Sequence, residues 1–258
     1  MKIAIIGYGK MGKIIEEKAL CRGHQIVWVV DPLVKPGVSQ GGAPILESIA
    51  QLPGPPSADI AIEFTRPDTA VANIKALTGR NIPLVVGTTG WYGALDEVRA
   101  AVQAAGSCLL YSPNFSLGVN LFYRIASCAA KIIDPYPEYD AAGFEAHHNK
   151  KADSPSGTAK TLVEKVLSEM TRKKTPVWET LNRPPEPEEL HFPSLRIGAY
   201  PGVHSLIFDS AADTIEITHT TRNREGLASG AILAAEWLAG KGISRKGVFT
   251  FEDVLGIA

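Results

Sequence analysis

The first residues of the chain form a pattern that few folds can accommodate. A short and almost wholly apolar segment, Lys2–Ile6, is typical of a strand in a parallel sheet that is covered on both faces. The loop Gly7-Tyr8-Gly9-Lys10-Met11-Gly12 follows, then a predicted helix to about Arg22 and a second apolar strand, Gln25–Val30, which ends at Asp31. Glycines at this spacing permit a tight turn, close approach of a pyrophosphate and close packing of helix on strand, and an acidic residue about 20 positions later accepts hydrogen bonds from a ribose. The pattern therefore predicts a dinucleotide-binding βαβ unit.

Predicted strands and helices alternate in the segment that follows. The strands are Asp59–Phe64, Leu84–Val86 and Ser107–Tyr111, and the helices run from Thr65 to about Thr78 and from Gly93 to about Ala105. The segment Pro32–Pro56 is predicted to be a surface connection with one short helical piece, Ile45–Gln51. Such alternation predicts an α/β fold with a doubly wound parallel sheet. Ligands of these sheets bind at the carboxyl ends of the strands, where Gly87, Thr88 and Thr89, and then Ser112, Pro113, Asn114 and Phe115, are found.

The second half of the chain has a different order of elements. Apolar alternation predicts strands at Tyr139–Ala146, Leu195–Tyr200, His204–Asp209 and Thr214–Thr221. Helical spacing predicts helices at Leu117–Asp134, Ala159–Glu169 and Arg224–Leu238, and the segment Thr175–Pro193 is predicted to be a loop. These elements predict a smaller α+β domain with a mixed or antiparallel sheet.

The stretch Glu145-Ala146-His147-His148-Asn149-Lys150-Lys151-Ala152-Asp153-Ser154-Pro155-Ser156-Gly157-Thr158 lies where a predicted strand passes into a predicted helix. The first N–H groups of a helix lack partners within it, and the helix dipole adds partial positive charge. Asp153 or Ser154 is predicted to cap this helix, Pro155 to lie in its first turn, and Gly157 to let a ligand approach the backbone. With Lys150 and Lys151 directly upstream, the stretch indicates a site for a small anion rather than a solvated helix start.

This stretch resembles the signature Glu-x-His-His-x-x-Lys-x-Asp-x-Pro-Ser-Gly-Thr-Ala of the 4-hydroxy-tetrahydrodipicolinate reductase family, with Ser154 where the family usually has Ala. The glycine loop is one residue shorter than the family's Gly-x-x-Gly-x-Met-Gly. The resemblance covers nearly the whole chain. It implies a Rossmann-type dinucleotide-binding domain at 1–114 and 224–258, and a substrate-binding and oligomerisation domain at 115–223.

The resemblance also implies the reaction, in which NADH or NADPH gives a hydride to a cyclic imine dicarboxylate. The product is tetrahydrodipicolinate, an intermediate on the way to lysine and diaminopimelate. Lys151 then corresponds to the proton donor and His147 to the acid–base group, while His148 contacts the substrate and Gly157 and Thr158 bind one carboxylate. Two edge segments, 87–89 and 112–115, correspond to contacts with the nicotinamide end of the cofactor. The family's homotetramer, which is built by pairing the sheets of the substrate domains, is expected here too.

Asp31 favours NADH as the cofactor, because a 2′-phosphate beside it would meet like charge. Lys35 is the nearby cation in the sequence, but one exposed lysine contributes only about 0–1 kcal/mol. NADPH remains possible, because members of the family often accept both cofactors. We expect no metal, because His147 and His148 point to opposite faces of a strand and lack a third ligand at supportive spacing. The other histidines, His24, His191, His204 and His219, are predicted to be structural or exposed.

The net charge of -1 argues against a nucleic acid or a membrane surface as partner, so the expected partner is the small dicarboxylate substrate. No apolar run approaches the ~20 residues of a membrane span, and Met1–Ile6 is too short for a signal peptide. Three scattered cysteines, Cys21, Cys108 and Cys128, suggest buried thiols in a reducing compartment, so we expect a cytoplasmic protein. Two other classes are considered. A semialdehyde dehydrogenase needs a nucleophilic cysteine in an edge loop beside a base, and a sensor of NADH would not need Lys151.

Overall fold

The computed structural model of the chain describes residues 1–54, 58–240 and 245–256. The chain divides into two units, Met1–Leu117 with Arg224–Ala258 and Gly118–Asn223. In chain order the elements of the first half are β1 (Lys2–Ile6), α1 (Lys10–Cys21), β2 (Gln25–Val30), β3 (Gly37–Val38), β4 (Pro44–Leu46), β5 (Ile60–Glu63), α2 (Pro67–Thr78), β6 (Leu84–Val86), α3 (Leu95–Ala104), β7 (Cys108–Tyr111) and α4 (Leu117–Ile133). They continue with β8 (Asp140–His147), α5 (Gly157–Glu169), β9 (Thr175–Val177), β10 (Glu189–His191), β11 (Ser194–Arg196), β12 (Val203–Asp209), β13 (Thr214–Thr220), α6 (Glu225–Leu238), β14 (Gly247–Thr250) and α7 (Phe251–Val254).

The sheet of the first unit has the strand order β14-β7-β6-β5-β1-β2-β4-β3. All its pairs are parallel except β3 with β4. On β1, Ile3 and Ile5 belong to the core beside α1 and α6, whereas Ala4 and Ile6 belong to the core beside α2 and α3. Because successive side chains point to opposite faces, a strand with helices on both sides must be apolar throughout. The predicted doubly wound parallel sheet is confirmed.

The segment between β2 and β5 differs from the prediction. Instead of a helical piece at 45–51, Pro44–Leu46 is a strand that pairs with β2, and only Ile49–Gln51 forms a short 3₁₀ turn. A short apolar run does not by itself distinguish strand from helix, and here pairing with the edge of the sheet decides. The end of the predicted connection, at 55–56, lies outside the described residues.

The second unit contains a mixed sheet, as predicted. Its order is β13-β12-β8-β10-β9, and β11 also pairs with β8. β12 is antiparallel to both β8 and β13, whereas β10 and β11 are parallel to β8. Helices α4 and α5 share one core with this sheet, to which they contribute Phe122, Ala126, Leu162 and Val166.

Two predictions for the second unit need correction. The segment 175–193 is not a loop throughout, because it contains β9 and β10, which are parallel to each other. The strand predicted at 195–200 is shorter and lies at Ser194–Arg196. Three-residue strands gain their stability from partners distant in sequence, so local alternation gives little sign of them.

The cysteines also differ from the prediction, since Cys108 is buried but Cys21 and Cys128 are exposed. No helix among the described residues is both long enough and apolar enough to cross a membrane.

Candidate active site

The loop between β1 and α1 has a backbone that depends on glycine at two positions. Gly7 has φ +91°, and a Cβ there would lie 2.2 Å from the carbonyl oxygen of Phe64. A Cβ at Gly12 would lie 2.2 Å from the carbonyl oxygen of Gly7, so this glycine lets α1 approach β1. A Cβ at Gly9 would meet nothing within 4 Å. This open backbone at the N-terminus of α1 fits a pyrophosphate.

Two cavities of the first unit adjoin this loop. One, of about 650 Å³, is lined by residues that include Gly9, Asp31, Leu33 and Arg66. The other, of about 380 Å³, is lined by Gly9, Lys10, Met11, Phe64, Thr65, Pro67, Gly87, Thr88 and Thr89. Gly9, Phe64 and Thr65 line both cavities, so the two adjoin at the carboxyl edge of the sheet, where a dinucleotide is expected to bind. Lys35 is not among the residues that line the first cavity, and the cation there is Arg66, which the sequence analysis missed.

Asp31 organises the end of β2. Its Oδ2 accepts a hydrogen bond from the backbone N–H of Tyr8 at 2.7 Å, and its Oδ1 accepts one from the N–H of Leu33 at 2.8 Å. The side chain of Tyr8 turns into the core, where its hydroxyl donates to the buried Glu16 and accepts from the N–H of Gln40 at 3.0 Å. Burial, and then the Glu16 contact, raise the pKa of Tyr8. Of Tyr8, only the backbone is therefore placed to meet a cofactor.

The loop after β6 is also shaped by close contacts. A Cβ on Gly87 would lie 2.1 Å from the ring of Phe64. The hydroxyl of Thr88 accepts a hydrogen bond from the N–H of Thr65 at 2.7 Å, and its carbonyl oxygen accepts one from the indole N–H of Trp91 at 2.8 Å. Thr89 is exposed. The structure thus brings the predicted segment 87–89 to the same cavity as the glycine loop.

The loop after β7 is closed by its own hydrogen bonds. The Ser112 hydroxyl donates to the carbonyl oxygen of Asn114 at 2.8 Å, and Pro113 between them is exposed. Phe115 is only 1% exposed, and its ring packs on those of Phe64 and Phe251. The side chain of Phe115 therefore belongs to the core, although the sequence analysis places the residue at the cofactor.

A buried carboxyl behind the edge loops was also missed. Glu63, the last residue of β5, is fully buried and accepts hydrogen bonds from the hydroxyl of Thr65 and, at 3.5 Å, from the amide of Asn73. Burial raises the pKa of Glu63, and the hydrogen bonds oppose this only in part. Among the described residues no group forms a hydrogen bond with its Oε2.

In the second unit, the strand-to-helix crossing holds the predicted anion site. Ser156 is the N-cap of α5, with its hydroxyl accepting the N–H of Ala159 at 3.1 Å, so the predictions of Asp153 or Ser154 as cap and of Pro155 inside the first turn are wrong. Gly157 is exposed at the first helical position, and a Cβ there would meet nothing within 4 Å. The hydroxyl of Thr158 bonds to that of Tyr123, whose pKa burial raises to about 12.

Lys151 and Asp153 form an ion pair beside this helix end. The ammonium donates to both carboxylate oxygens, at 2.8 and 3.0 Å. This hydrogen-bonded ion pair with Lys151 is the main cause that holds the pKa of Asp153 below its usual value. The side chain of Arg196 donates to the backbone oxygen of Asp153 at 2.6 Å. The ammonium of Lys151 is therefore already paired with a carboxylate beside the start of α5.

His147 lies in a buried cluster of charged and titratable groups. Its Nδ1 is 3.4 Å from Oε2 of Glu145, and Nε2 of His204 is 3.3 Å from the same oxygen. Burial lowers the pKa of His147 to about 4, which Glu145 opposes and His204, Lys151 and Arg196 reinforce. Burial also raises the pKa of Glu145, but hydrogen bonds from His204, Ser156 and Ser194 outweigh this effect and keep its pKa well below the usual value. At neutral pH the cluster therefore contains a neutral His147 beside a carboxylate.

His204 was predicted to be structural or exposed, but it is buried at this site, so that prediction misses a site residue. The argument that His147 lacks a third ligand is also wrong, because nitrogen or oxygen atoms of Glu145, His147 and His204 lie within 4.8 Å of one another. That spacing could hold a metal ion, although the guanidinium of Arg196 lies 3.8 Å from Glu145 and disfavours a second cation. His148 follows the last residue of β8 and is half-buried.

Sequence signals for the missed residues differ. Glu145 precedes His147 by two positions, which on a strand places both on one face, so period-two spacing could have predicted it. His204 and Arg196 come beside β8 only through strand register, with His204 opposite Glu145 and Arg196 opposite His147. Neither register can be deduced from local sequence.

A doubly wound sheet, a glycine loop at the start of α1 and an acidic residue after β2 define a nucleotide-dependent enzyme of the Rossmann type. Family models described as "Dihydrodipicolinate reductase, N-terminus" and "Dihydrodipicolinate reductase, C-terminus" match residues 1–115 and 118–255. The chain belongs to the dihydrodipicolinate reductase family and is an NAD(P)H-dependent oxidoreductase.

Similar proteins span the whole chain. The 4-hydroxy-tetrahydrodipicolinate reductase of Christiangramia forsetii is 36% identical over 255 residues, which cover 99% of this chain and 98% of that protein. The enzyme of the same name from Archaeoglobus fulgidus is 34% identical over 266 residues, which cover 99% and 100%. A solved structure of dipicolinate-bound dihydrodipicolinate reductase from Paenisporosarcina has a TM-score of 0.77 over 97% of each chain, at 22% identity, and so has the same fold.

Proposed function

We propose that the protein reduces the cyclic imine dicarboxylate 4-hydroxy-tetrahydrodipicolinate, or its dehydrated form dihydrodipicolinate, to tetrahydrodipicolinate in lysine and diaminopimelate biosynthesis. The observation that carries this proposal is the cationic site at the N-terminus of α5, where Lys151 already binds one carboxylate, that of Asp153, close to the open backbone at Gly157. Membership of the family supports it.

The glycine loop and the edge cavities fit a nicotinamide dinucleotide. Gly9 leaves its backbone open to the pyrophosphate, and Asp31 lies at the ribose end of the larger cavity. The N–H groups of Lys10, Met11 and Gly12 begin α1 and suit the phosphates. Gly87, Thr88 and Thr89, and the backbone of 112–115, would hold the nicotinamide end. A reduced nicotinamide supplies the hydride, and we propose that NADH is the preferred donor, with NADPH also accepted.

The substrate is held by its carboxylates. One of them takes the place of the Asp153 carboxylate beside Lys151 and accepts the N–H groups of Gly157 and Thr158. The imidazole of His148 contacts the substrate as well. The groups assigned to contact the substrate, Lys151, His148 and the first N–H groups of α5, are polar or cationic donors, which suits a dianion.

Two side chains take part in the proton transfer. Hydride adds to the terminal carbon of the conjugated C=C–C=N system and moves the electron pair of the C=C bond toward the nitrogen. Lys151 then donates a proton to the adjacent carbon, which restores the C=N bond. His147 is neutral before substrate binds because its pKa is about 4. The two negative charges of the substrate favour its protonated form, so His147 becomes a competent acid when the substrate is present.

We also propose a cytoplasmic homotetramer built through the sheets of the second unit. β13 is an edge strand of the described sheet, and an unpaired strand edge is a template for another chain. Leu195, Ile197, Tyr200 and Ile215 are large apolar side chains that are 43–57% exposed in the same unit. A second copy of the sheet would cover them.

Steady-state kinetics test the reaction. With the substrate generated enzymatically, the purified protein is expected to oxidise NADH and NADPH, and pyridine-2,6-dicarboxylate is expected to compete with the substrate at millimolar concentration. Binding of NADH without any turnover would instead identify a sensor. Absence of competition by the pyridine dicarboxylate would count against the anion site at α5.

The semialdehyde dehydrogenase alternative has no support at the sheet edge. It requires a reactive thiolate, yet Cys108 is buried at the start of β7, and burial raises its pKa to about 11. Cys21 and Cys128 lie in helices α1 and α4.

A further inference from the structure

Glu145 is a fully buried carboxylate without an assigned role, and the sheet surrounds it with polar groups. It lies on β8, opposite His204 on β12 and opposite Ser194 on β11. Its spacing of two from His147 puts both side chains on one face of the strand. A charge in such a place is retained only where its partners compensate for lost hydration.

The two carboxylate oxygens of Glu145 have different neighbours. Oε1 accepts the N–H of Ser156 at 2.9 Å and the hydroxyl of Ser194 at 2.7 Å. Oε2 faces the two imidazoles, with Nδ1 of His147 at 3.4 Å and Nε2 of His204 at 3.3 Å. Among the described residues neither Oε2 nor this Nδ1 has a hydrogen-bond partner, so the contacts of Oε2 with both imidazoles are close approaches between buried polar atoms. Distances of this length in an active site commonly shorten when substrate binds.

We propose that Glu145 is a positioning residue, which fixes the tautomer and orientation of His147 and ties this histidine to the N-cap of α5. The inference rests on the proposed function, in which His147 is the acid–base group. A carboxylate can only accept at Nδ1, so the neutral imidazole carries its proton there and presents the lone pair of Nε2. Gly202 makes room on that side, because a Cβ at this position would lie 3.2 Å from Nε2.

The same carboxylate connects the acid–base group to the anion site. Nε2 of His204 is 3.2 Å from the hydroxyl of Ser156, and Ser156 in turn donates its N–H to Glu145. Each of Glu145, His204 and Ser156 therefore contacts the other two at the start of α5. Because Gly157 follows Ser156 directly, these contacts hold the proposed carboxylate site in register with His147.

Nitrogen-15 NMR of histidine-labelled wild-type protein, with cofactor and substrate omitted, tests the tautomer without using activity. We expect His147, assigned by loss of its signals in His147→Asn, to show a protonated Nδ1 and an unprotonated Nε2 at neutral pH. The opposite tautomer in wild type would overturn the proposal. In Glu145→Gln the preference for protonated Nδ1 is expected to weaken.

Kinetics provide the second test. Glu145→Gln is expected to lower kcat roughly 10- to 100-fold, with little change in NADH affinity, whereas Glu164→Gln, the same change at an exposed position of α5, is expected to leave both unchanged. The groups that face His147 are Glu145, His204, Arg196 and Lys151. Of these four groups only Glu145 is negative, and its charge raises the pKa of His147. Glu145→Gln should therefore move the limb of the pH–rate profile that reports His147 to lower pH. In a His147→Ala background, Glu145→Gln should lower kcat no further.

Several outcomes contradict the proposal. Additive losses in the double variant, or a normal pH profile in Glu145→Gln, would assign Glu145 a structural role only. Loss of wild-type activity in EDTA with recovery on adding Zn²⁺ would make the cluster a metal site instead. If Glu145→Gln does not fold, the wild-type tautomer still decides. A wild type that does not reduce the substrate refutes the proposed function alone, because the tautomer measurement stands without it.

Discussion

The side chain of Lys151 is 21% exposed, and its ammonium donates hydrogen bonds to both carboxylate oxygens of Asp153. As the proposed proton donor, it acts in the transition state. We therefore expect Lys151→Ala to lower kcat by about 10²-fold or more while the affinity for NADH, measured by fluorescence titration, stays the same. Lys150→Ala is the matched control, because that neighbour is exposed and should leave kcat near normal. A near-normal kcat in Lys151→Ala would remove this lysine from the mechanism.

Three charged residues line the larger cavity, Asp31, Glu47 and Arg66, and we expect Asp31 and Arg66 to decide the choice of cofactor. Arg66 is paired with Asp68, so it has little free charge to offer a 2′-phosphate, and kcat/KM should be higher with NADH than with NADPH. Asp31→Ser should narrow or reverse this preference. Asp31→Asn removes the charge but keeps one acceptor oxygen for a backbone N–H group. This variant therefore distinguishes charge repulsion of the 2′-phosphate from a change in the geometry of the loop. A wild-type preference for NADPH would show that Arg66 outweighs Asp31.

Individual site residues differ in how far the sequence predicts them. His147, Lys151 and Gly157 lie in one short segment, so the chemistry of their side chains and the start of a helix suffice. The roles of Asp153 as partner of Lys151 and of Ser156 as N-cap depend on which residue first adopts helical backbone, a boundary that sequence fixes poorly. Arg196 and His204 depend on strand register, which is a property of the folded sheet.

At the scale of elements, α6 packs against the loop after β7 at one glycine. A Cβ at Gly230 would lie 1.7 Å from the carbonyl oxygen of Phe115, a backbone atom that cannot move alone. Gly230→Ala should therefore destabilise the protein by about 1–3 kcal/mol or more, and weaken NADH binding by shifting the loop 112–115. Thermal unfolding and NADH titration measure the two effects.

Gly226→Ala, in the same helix, is the matched control. Its Cβ would lie 3.3 Å from the hydroxyl oxygen and 4.0 Å from the Cβ of Ser116, both side-chain atoms. The gain in helix propensity of about 1 kcal/mol should then offset the crowding. Equal losses of stability in both variants would contradict the packing argument.

Long elements of this protein were predictable and short ones were not. A pattern that repeats over several residues predicts the apolar strands β1 and β2 and, through its helical spacing, α5. β4, β9 and β10 have three residues each, which is too few for a period to emerge, and their pairing partners determine them.

At the scale of the whole molecule, Glu63 should make stability depend on pH. Its pKa in the folded protein is raised from 4.5 by burial, so its stabilising contribution is complete below that value and is lost as the pH rises through the folded pKa. Glu63→Gln imitates the protonated carboxyl at every pH. The variant should thus gain stability relative to wild type as the pH rises from the carboxyl range to neutrality.

Denaturant unfolding at a series of pH values measures this difference. Glu164→Gln, at an exposed carboxylate, should follow wild type throughout. Parallel curves for Glu63→Gln and wild type would mean that Glu63 is ionised in the folded protein.

Assembly is the last property at this scale. If second copies cover the sheet of the second unit, Ile215→Asp on the edge strand β13 should lower the mass measured by light scattering below that of a tetramer. Val38→Asp, at an exposed apolar residue of the first unit, should not. A wild-type protein that is monomeric at micromolar concentration would refute the expected tetramer.

The carboxylate of Asp153 has a consequence for how each catalytic cycle would begin. Because this carboxylate pairs with the ammonium of Lys151, a substrate that binds as proposed would take the place of an anion that belongs to the protein. Lys151 therefore has a counter-ion both before and after the substrate binds. Because one negative charge leaves the site as the substrate enters, the net charge around Lys151 should become less negative than the two charges of the substrate alone would make it. The side chain of Asp153 is 57% exposed, so it can swing into water and return when the product leaves.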